Sequence, residues 1–117
     1  MLKFDGKKVY LACGATDMRK SINGLSALVE SSFKLDLFEA SVFVFCNRKR
    51  DRIKILEWDG DGFWVYFKRL ENGHFRWPAE GEEMTMSLTG EELGMLLGGA
   101  RIEQKLKRNE VRFGRAI

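Results

Sequence analysis

Closely spaced cations are the first chemistry this sequence offers. Asn47-Arg48-Lys49-Arg50-Asp51-Arg52 sets four cations against one aspartate, and Lys54 follows two residues later. A cluster of this kind can neutralise nucleic-acid phosphates, arginine offering a planar fork to phosphate oxygens. A second group, Lys68 and Arg69 with Arg76, lies among Trp64, Tyr66, Phe75 and Trp77. Aromatic rings beside cations can stack on bases. A third pair, Arg19 and Lys20, follows Thr16-Asp17 in the first turn of a candidate helix, where backbone N–H groups favour anions. Arg19, Lys20, Arg48, Lys49, Arg50, Arg52, Lys54, Lys68, Arg69 and Arg76 are therefore the candidate nucleic-acid contacts, with Arg19, Lys20, Arg48–Arg52 and Lys68–Arg69 expected to form one basic face. Each has a plainer alternative. The loop can be a solvated turn that discourages aggregation, the aromatics can be core or edge packing, and Asp17 can cap the helix while Arg19 pairs with a carboxylate elsewhere.

Catalytic chemistry finds little support. General acid–base work needs positioned groups, most often histidine or paired carboxylates, and the sole histidine, His74, stands between turn residues. Asp59 and Asp61 share a short segment, but a calcium loop counted from Asp59 would need its bidentate glutamate where Leu70 stands. Phosphate-binding glycine loops and a nucleophile elbow are missing from the sequence. Cys13 and Cys46 are far apart without a CxxC pair, which reads as two buried free thiols rather than a zinc site. No catalytic residue, metal ligand or cofactor is assigned, and the chain is expected not to be an enzyme.

The elements that must position these cations are legible in outline. The 117 residues, 44% hydrophobic and 32% charged, suit one globular domain with a mild net charge of +3. The N-terminal sequence has no apolar run long enough for a signal peptide or a membrane span, so a cytoplasmic location is expected. Lys8–Ala12 reads as a strand halted at Cys13-Gly14-Ala15. After a cap at Thr16 or Asp17, the spacing of Met18, Ile22, Leu25, Leu28, Val29 and Phe33 predicts an amphipathic helix. Ser41–Cys46, Arg52–Trp58 and Phe63–Leu70 are rich in β-branched and aromatic residues. Asp59-Gly60-Asp61-Gly62 marks a hairpin, and Glu71-Asn72-Gly73 leads to a further short segment, His74–Trp77, ended by Pro78. Thr89-Gly90-Glu91-Glu92 is a capping-box pattern before a short helix that stops at Gly98-Gly99.

The fold class predicted is α+β: an antiparallel meander of four to five strands, a helix on one face and a short C-terminal helix. Residues 1–99 form the domain and residues 100–117 a basic tail carrying Arg101, Lys105, Lys107, Arg108, Arg112 and Arg115. Pairing Trp58 with Phe63 and Cys46 with Arg52 puts Val42, Val44 and Leu56 on one face, and Phe43, Phe45, Ile53 and Ile55 on the other. Both faces are then apolar and both need a cover. The first helix supplies one, and the C-terminal third or a partner supplies the second.

Three blocks carry a family resemblance: VYLACGATDMRKSINGL at Val9–Leu25, FVFCNRKRDRIKILEWDGDGFWVYFKRLENGHFRWP at Phe43–Pro78, and LTGEELGMLLGG at Leu88–Gly99. The sequence resembles the small second-reading-frame accessory protein of the insertion sequence 66 family of bacterial transposable elements. The resemblance implies a non-catalytic protein encoded beside a separate DDE-type transposase and needed for efficient transposition. The family's motif residues carry over to Thr16–Lys20, Arg48, Arg52, Lys54, Asp59–Gly62, Lys68–Leu70, Phe75, Trp77 and Pro78. After Gly99 this chain reads Ala100-Arg101-Ile102, where an Ile-Asp-Trp-like segment is the family's habit. Expected partners are element-end DNA and the cognate transposase, with room for a second copy of the chain and none for a membrane. A DNA-binding accessory and a transposase adaptor that does not touch DNA both fit.

Overall fold

The computed structural model describes residues 4–39 and 41–98. The expected tail from Ala100 onward, and Gly99, lie outside the described residues. Five strands and two helices follow in chain order: β1 (Lys8–Ala12), α1 (Ile22–Ala27), β2 (Ser41–Cys46), β3 (Arg52–Trp58), β4 (Phe63–Arg69), β5 (Thr85–Thr89) and α2 (Gly90–Leu97). They build one sheet in the order β4-β3-β2-β1-β5.

The sheet is mixed, which corrects the fully antiparallel meander. β2, β3 and β4 are consecutive antiparallel hairpins as expected, but β1 runs parallel to β2. The connection between β1 and β2 carries α1 across a face of the sheet, and a helical crossover is what returns the chain in the parallel sense. β5 then pairs antiparallel with β1 along its whole length. The short segment His74–Trp77, expected to continue the meander, is not a strand. This segment leaves the sheet and inserts its two aromatic rings, Phe75 and Trp77, into the core.

The helix after β1 starts later than expected. Asp17 spends its carboxylate on the backbone N–H and guanidinium of Arg19, so Ser21 takes the N-cap position and Met18 stands outside the helix. Short polar side chains that bond nearby backbone compete with helix in this way. From Leu28 to Ser32 the helix loosens to a π-turn, and Lys34, at φ 57°, ends it. Leu25 and Val29 are buried, Met18, Leu28 and Phe33 half-buried, and Ile22 exposed.

The β3–β4 register matches the expected Trp58–Phe63 pairing, whereas β2–β3 is shifted by one residue, Cys46 facing Ile53 rather than Arg52. A slip of one exchanges faces. Val42, Val44 and Cys46 therefore share a face with Ile53 and Ile55, while Phe43 and Phe45 share the other with Leu56. Both faces are covered from within the chain: Leu25 and Val29 pack on the Phe43 face, and Leu93 and Leu96 of α2 pack with Phe75 and Trp77 on the Val42 face. β2, between two covered faces, is buried at every residue. Cys46 is buried within it and its thiol is pushed up to about 12 by burial, whereas Cys13 is half-buried, short of the expected burial.

α2 begins as its sequence pattern requires. The Thr89 hydroxyl accepts the Glu92 N–H at 3.0 Å, and the Glu92 carboxylate accepts the Thr89 N–H at 2.9 Å. Gly90 follows because a Cβ there would sit 2.1 Å from the Phe4 carbonyl oxygen. Thr89 is exposed, so Thr89→Ala removes little but the cap. It is expected to lower unfolding free energy by about 1 kcal/mol, read as a shift of the urea midpoint at unchanged slope.

Candidate nucleic-acid interface

Asn47 organises the basic loop. Its side-chain oxygen accepts the N–H groups of Asp51 and Arg52, both at 3.0 Å, and its amide donates to the Asp51 carboxylate at 2.7 Å. The backbone closes in parallel, Asn47 N–H to Arg52 carbonyl at 3.1 Å and Arg50 N–H to Asn47 carbonyl at 3.1 Å. Arg50 takes a left-handed φ of 62° to complete the turn. The Asn47 bond, with smaller help from Arg52 and Lys49, holds the Asp51 carboxyl below its ordinary value. With polar groups satisfied inward, Arg48, Lys49 and Arg50 are exposed, and their side chains form no ion pair among the described residues.

The loop is buttressed from behind. The Arg50 carbonyl accepts the Phe75 N–H at 2.7 Å, the Asp51 carbonyl accepts the Leu70 N–H at 2.7 Å, and the His74 ring meets the Lys49 carbonyl at 3.1 Å. Phe75 and Trp77 are buried, and the Trp77 indole N–H donates to the Ala12 carbonyl at 2.8 Å. The three cations therefore stand on a turn fixed both by its own side chains and by the core.

The segment leading into α1 adjoins the same end of the sheet. Thr16 N–H donates to the Cys46 carbonyl at 2.7 Å, and the Lys54 ammonium donates to the Lys20 carbonyl at 2.8 Å. Strand alternation puts Arg52 and Lys54 on the α1 face with Leu56, and Arg69 stands opposite Arg52 on that face. The same alternation corrects the expectation of one basic face that includes Lys68. Lys68 lies on the α2 face, where its ammonium donates to the Leu97 carbonyl at 2.5 Å. Arg76 is half-buried between the two core aromatics.

Several candidates are partly neutralised. Arg19 grips Asp17 at 2.7 Å and holds its carboxyl down to about 2 through side-chain and backbone hydrogen bonds. Arg52 meets Asp51 at 3.2 Å and Arg69 meets Glu71 at 2.8 Å. Arg48, Lys49 and Arg50 are thus three adjacent cations whose side chains form no ion pair among the described residues, with Lys20 and Lys54 towards α1.

The remaining polar groups have structural partners. Asp59 accepts the Trp64 indole N–H, which with hydrogen bonds from the turn holds its carboxyl below the ordinary value. Glu57, buried in mid-strand, accepts the Tyr66 hydroxyl at 2.8 Å and the Lys7 ammonium. Burial first, then Glu57, pushes the Tyr66 hydroxyl up to about 12. Neither Asn47 nor Glu57 stood out in the sequence. A polar residue closing a basic loop and a carboxylate within Ile53–Trp58 were the signals available. A groove of about 430 Å³ at the opposite end of β1 from the basic loop is lined by residues of both charges, Asp5, Lys7, Lys8 and Glu91 among them. Among the described residues no three His, Cys, Asp or Glu side chains converge as a metal site, and no helix is long and apolar enough to cross a membrane.

Comparison with known proteins agrees with this arrangement of blocks. The family described as IS66 Orf2 like protein matches residues 7–107. Two uncharacterised proteins of Sinorhizobium fredii are similar. One, y4jC, is 32% identical over 103 residues, covering 86% of this chain and 87% of its own. The other, y4hO, is 37% identical over 93 residues, 79% of each chain. No solved structure matches.

Proposed function

The chain belongs to the IS66 Orf2-like family of transposition accessory proteins, and we propose that it serves that role by holding DNA against the basic turn between β2 and β3. The observation that carries this reading is the stapled loop: Arg48, Lys49 and Arg50 are exposed, adjacent and without an ion partner among the described residues. The Asn47 staple and the Phe75 buttress fix the shape of this turn. Three cations on a turn whose backbone is already fixed lose less loop freedom on meeting phosphates than three on a loose loop, and preorganisation of this kind favours binding. Lys20 and Lys54 extend the surface towards α1, and Arg19 and Arg52 can exchange their carboxylate partners for phosphate.

Phosphates carry no base identity, so contacts of this type position the protein rather than select a sequence. Element-end specificity then belongs to the transposase, with this chain adding non-specific grip on the same complex. The test is binding of the purified full chain to terminal DNA and to an unrelated duplex of equal length. Similar affinities for both, each falling steeply as salt rises, are expected. Absence of DNA binding even at low salt, together with a stable complex with the cognate transposase alone, would replace this reading with that of a protein adaptor.

A further inference from the structure

β4 is an outer strand of the sheet, with β3 its strand neighbour among the described residues. Outer strands expose a row of unpaired backbone groups, which proteins commonly blunt with proline, bulges or charge. The sequence Phe-Trp-Val-Tyr-Phe-Lys-Arg contains no proline or glycine, and its register with β3 runs unbroken from Phe63 to Arg69. Both cations stand at one end. The rest is aromatic or aliphatic, with Trp64 54% and Phe67 56% exposed on opposite faces.

The hydrogen-bond pattern says which groups face outward. Asp59 N–H to Gly62 carbonyl closes the hairpin at its tip, and Leu70 N–H to Asp51 carbonyl closes it at its base. Antiparallel alternation between those points turns the backbone groups of Trp64, Tyr66 and Lys68 towards β3. Those of Phe63, Val65, Phe67 and Arg69 then face the open edge. The hairpin is also polarised in charge: its tip carries Asp59 and Asp61, whereas its base carries Arg52, Lys68 and Arg69 beside Arg48-Lys49-Arg50, with cations in excess over Asp51 and Glu71.

We infer that β4 pairs antiparallel with β4 of a second copy about a two-fold axis at Tyr66, joining the two sheets into one. This register pairs outward-facing groups: Val65 with the second copy's Phe67, and Phe63 with its Arg69. Between them, Trp64 falls opposite Lys68 and Tyr66 opposite Tyr66, in the close pairs that exchange no backbone bond. Each cation thereby meets an aromatic ring on the same face, an attractive pairing. The acidic tip of each hairpin approaches the basic base of the other, whereas a parallel arrangement would set like charges together. A polyanion along this edge fits worse, because Trp64 is tied to the Asp59 carboxylate.

Sedimentation of the full chain at micromolar concentration tests this, and the expected species has twice the mass of one chain. Phe67→Pro removes an outward N–H at an exposed residue and leaves the bonds to β3 intact, a substitution that outer strands tolerate. It is expected to yield a monomer with an unchanged circular dichroism spectrum. Trp64→Cys with Lys68→Cys, in a Cys13→Ser background, checks the register independently: close pairs lie within disulfide reach, so mild oxidation should give a covalent dimer. A single-chain mass at every concentration overturns the inference, as does a dimer indifferent to Phe67→Pro that fails to cross-link. A full chain that is monomeric but dimerises once residues 99–117 are removed also overturns it, since the edge would then be occupied by the chain itself.

Discussion

Replacing Arg48, Lys49 and Arg50 together with alanine is expected to flatten the slope of log affinity for duplex DNA against log salt by about 2 to 3 units, at roughly 0.9 for each phosphate no longer neutralised. Between ~50 and ~200 mM salt the unaltered chain should then lose up to roughly 40-fold more affinity than the variant. The fold should survive, because these side chains are exposed and the turn is held by Asn47, Asp51 and backbone bonds that alanine preserves. Asn47→Ala is the informative companion. It keeps every cation but removes the staple, so it should weaken binding with less change in slope, the charge count being unaltered. Fluorescence anisotropy across a salt series measures both variants. An unchanged slope in the triple variant would mean that this turn touches no phosphate.

What the sequence disclosed about this site follows from the range of the interactions involved. The exposure of Arg48, Lys49 and Arg50 was legible because a basic run between two strand-forming segments has nowhere to go but solvent. The capping box at Thr89 was legible because all its atoms lie within four residues. Failures cluster where distant segments decide. β5 went unnoticed, since Thr85–Thr89 has few apolar residues and becomes a strand by pairing with β1. The parallel β1–β2 pairing likewise has no local signature. The β2–β3 register slipped by one because Asn47 pairs with Arg52 and lengthens the strand ladder; that shift moved Ile53 and Ile55 to the face of Val42 and Val44. The split of Lys68 from Arg69 was available from alternation alone, as neighbouring strand residues cannot share a face. Arg19 looked like a phosphate ligand at a helix start, yet its local carboxylate, Asp17, both occupies it and delays the helix.

Trp77→Ala should be the more damaging of single substitutions in the segment behind the loop, costing about 3–5 kcal/mol. Trp77 is 5% exposed, packs edge-on to Phe75 with centroids 6.5 Å apart, and donates its indole N–H to the Ala12 carbonyl. Truncation leaves a cavity beneath the sheet and strands that carbonyl at the end of β1. Against a total of roughly 5–15 kcal/mol for a domain of this kind, such a loss should lower the melting temperature by on the order of 10–20 °C. Phe75→Ala should fall in the same range through packing alone, its N–H to Arg50 being a backbone bond. The two variants differ in what else they disturb. Phe75 joins the core to the loop directly, so its loss should loosen Arg50 and speed hydrogen exchange at the Phe75 amide, even below the melting temperature. Trp77 acts on β1, and its loss should speed exchange at Cys13 and Gly14, whose N–H groups bond the Met84 and Pro78 carbonyls. A melting temperature within a degree or two of the unaltered chain for either variant would show that this segment rests on the core without supporting it.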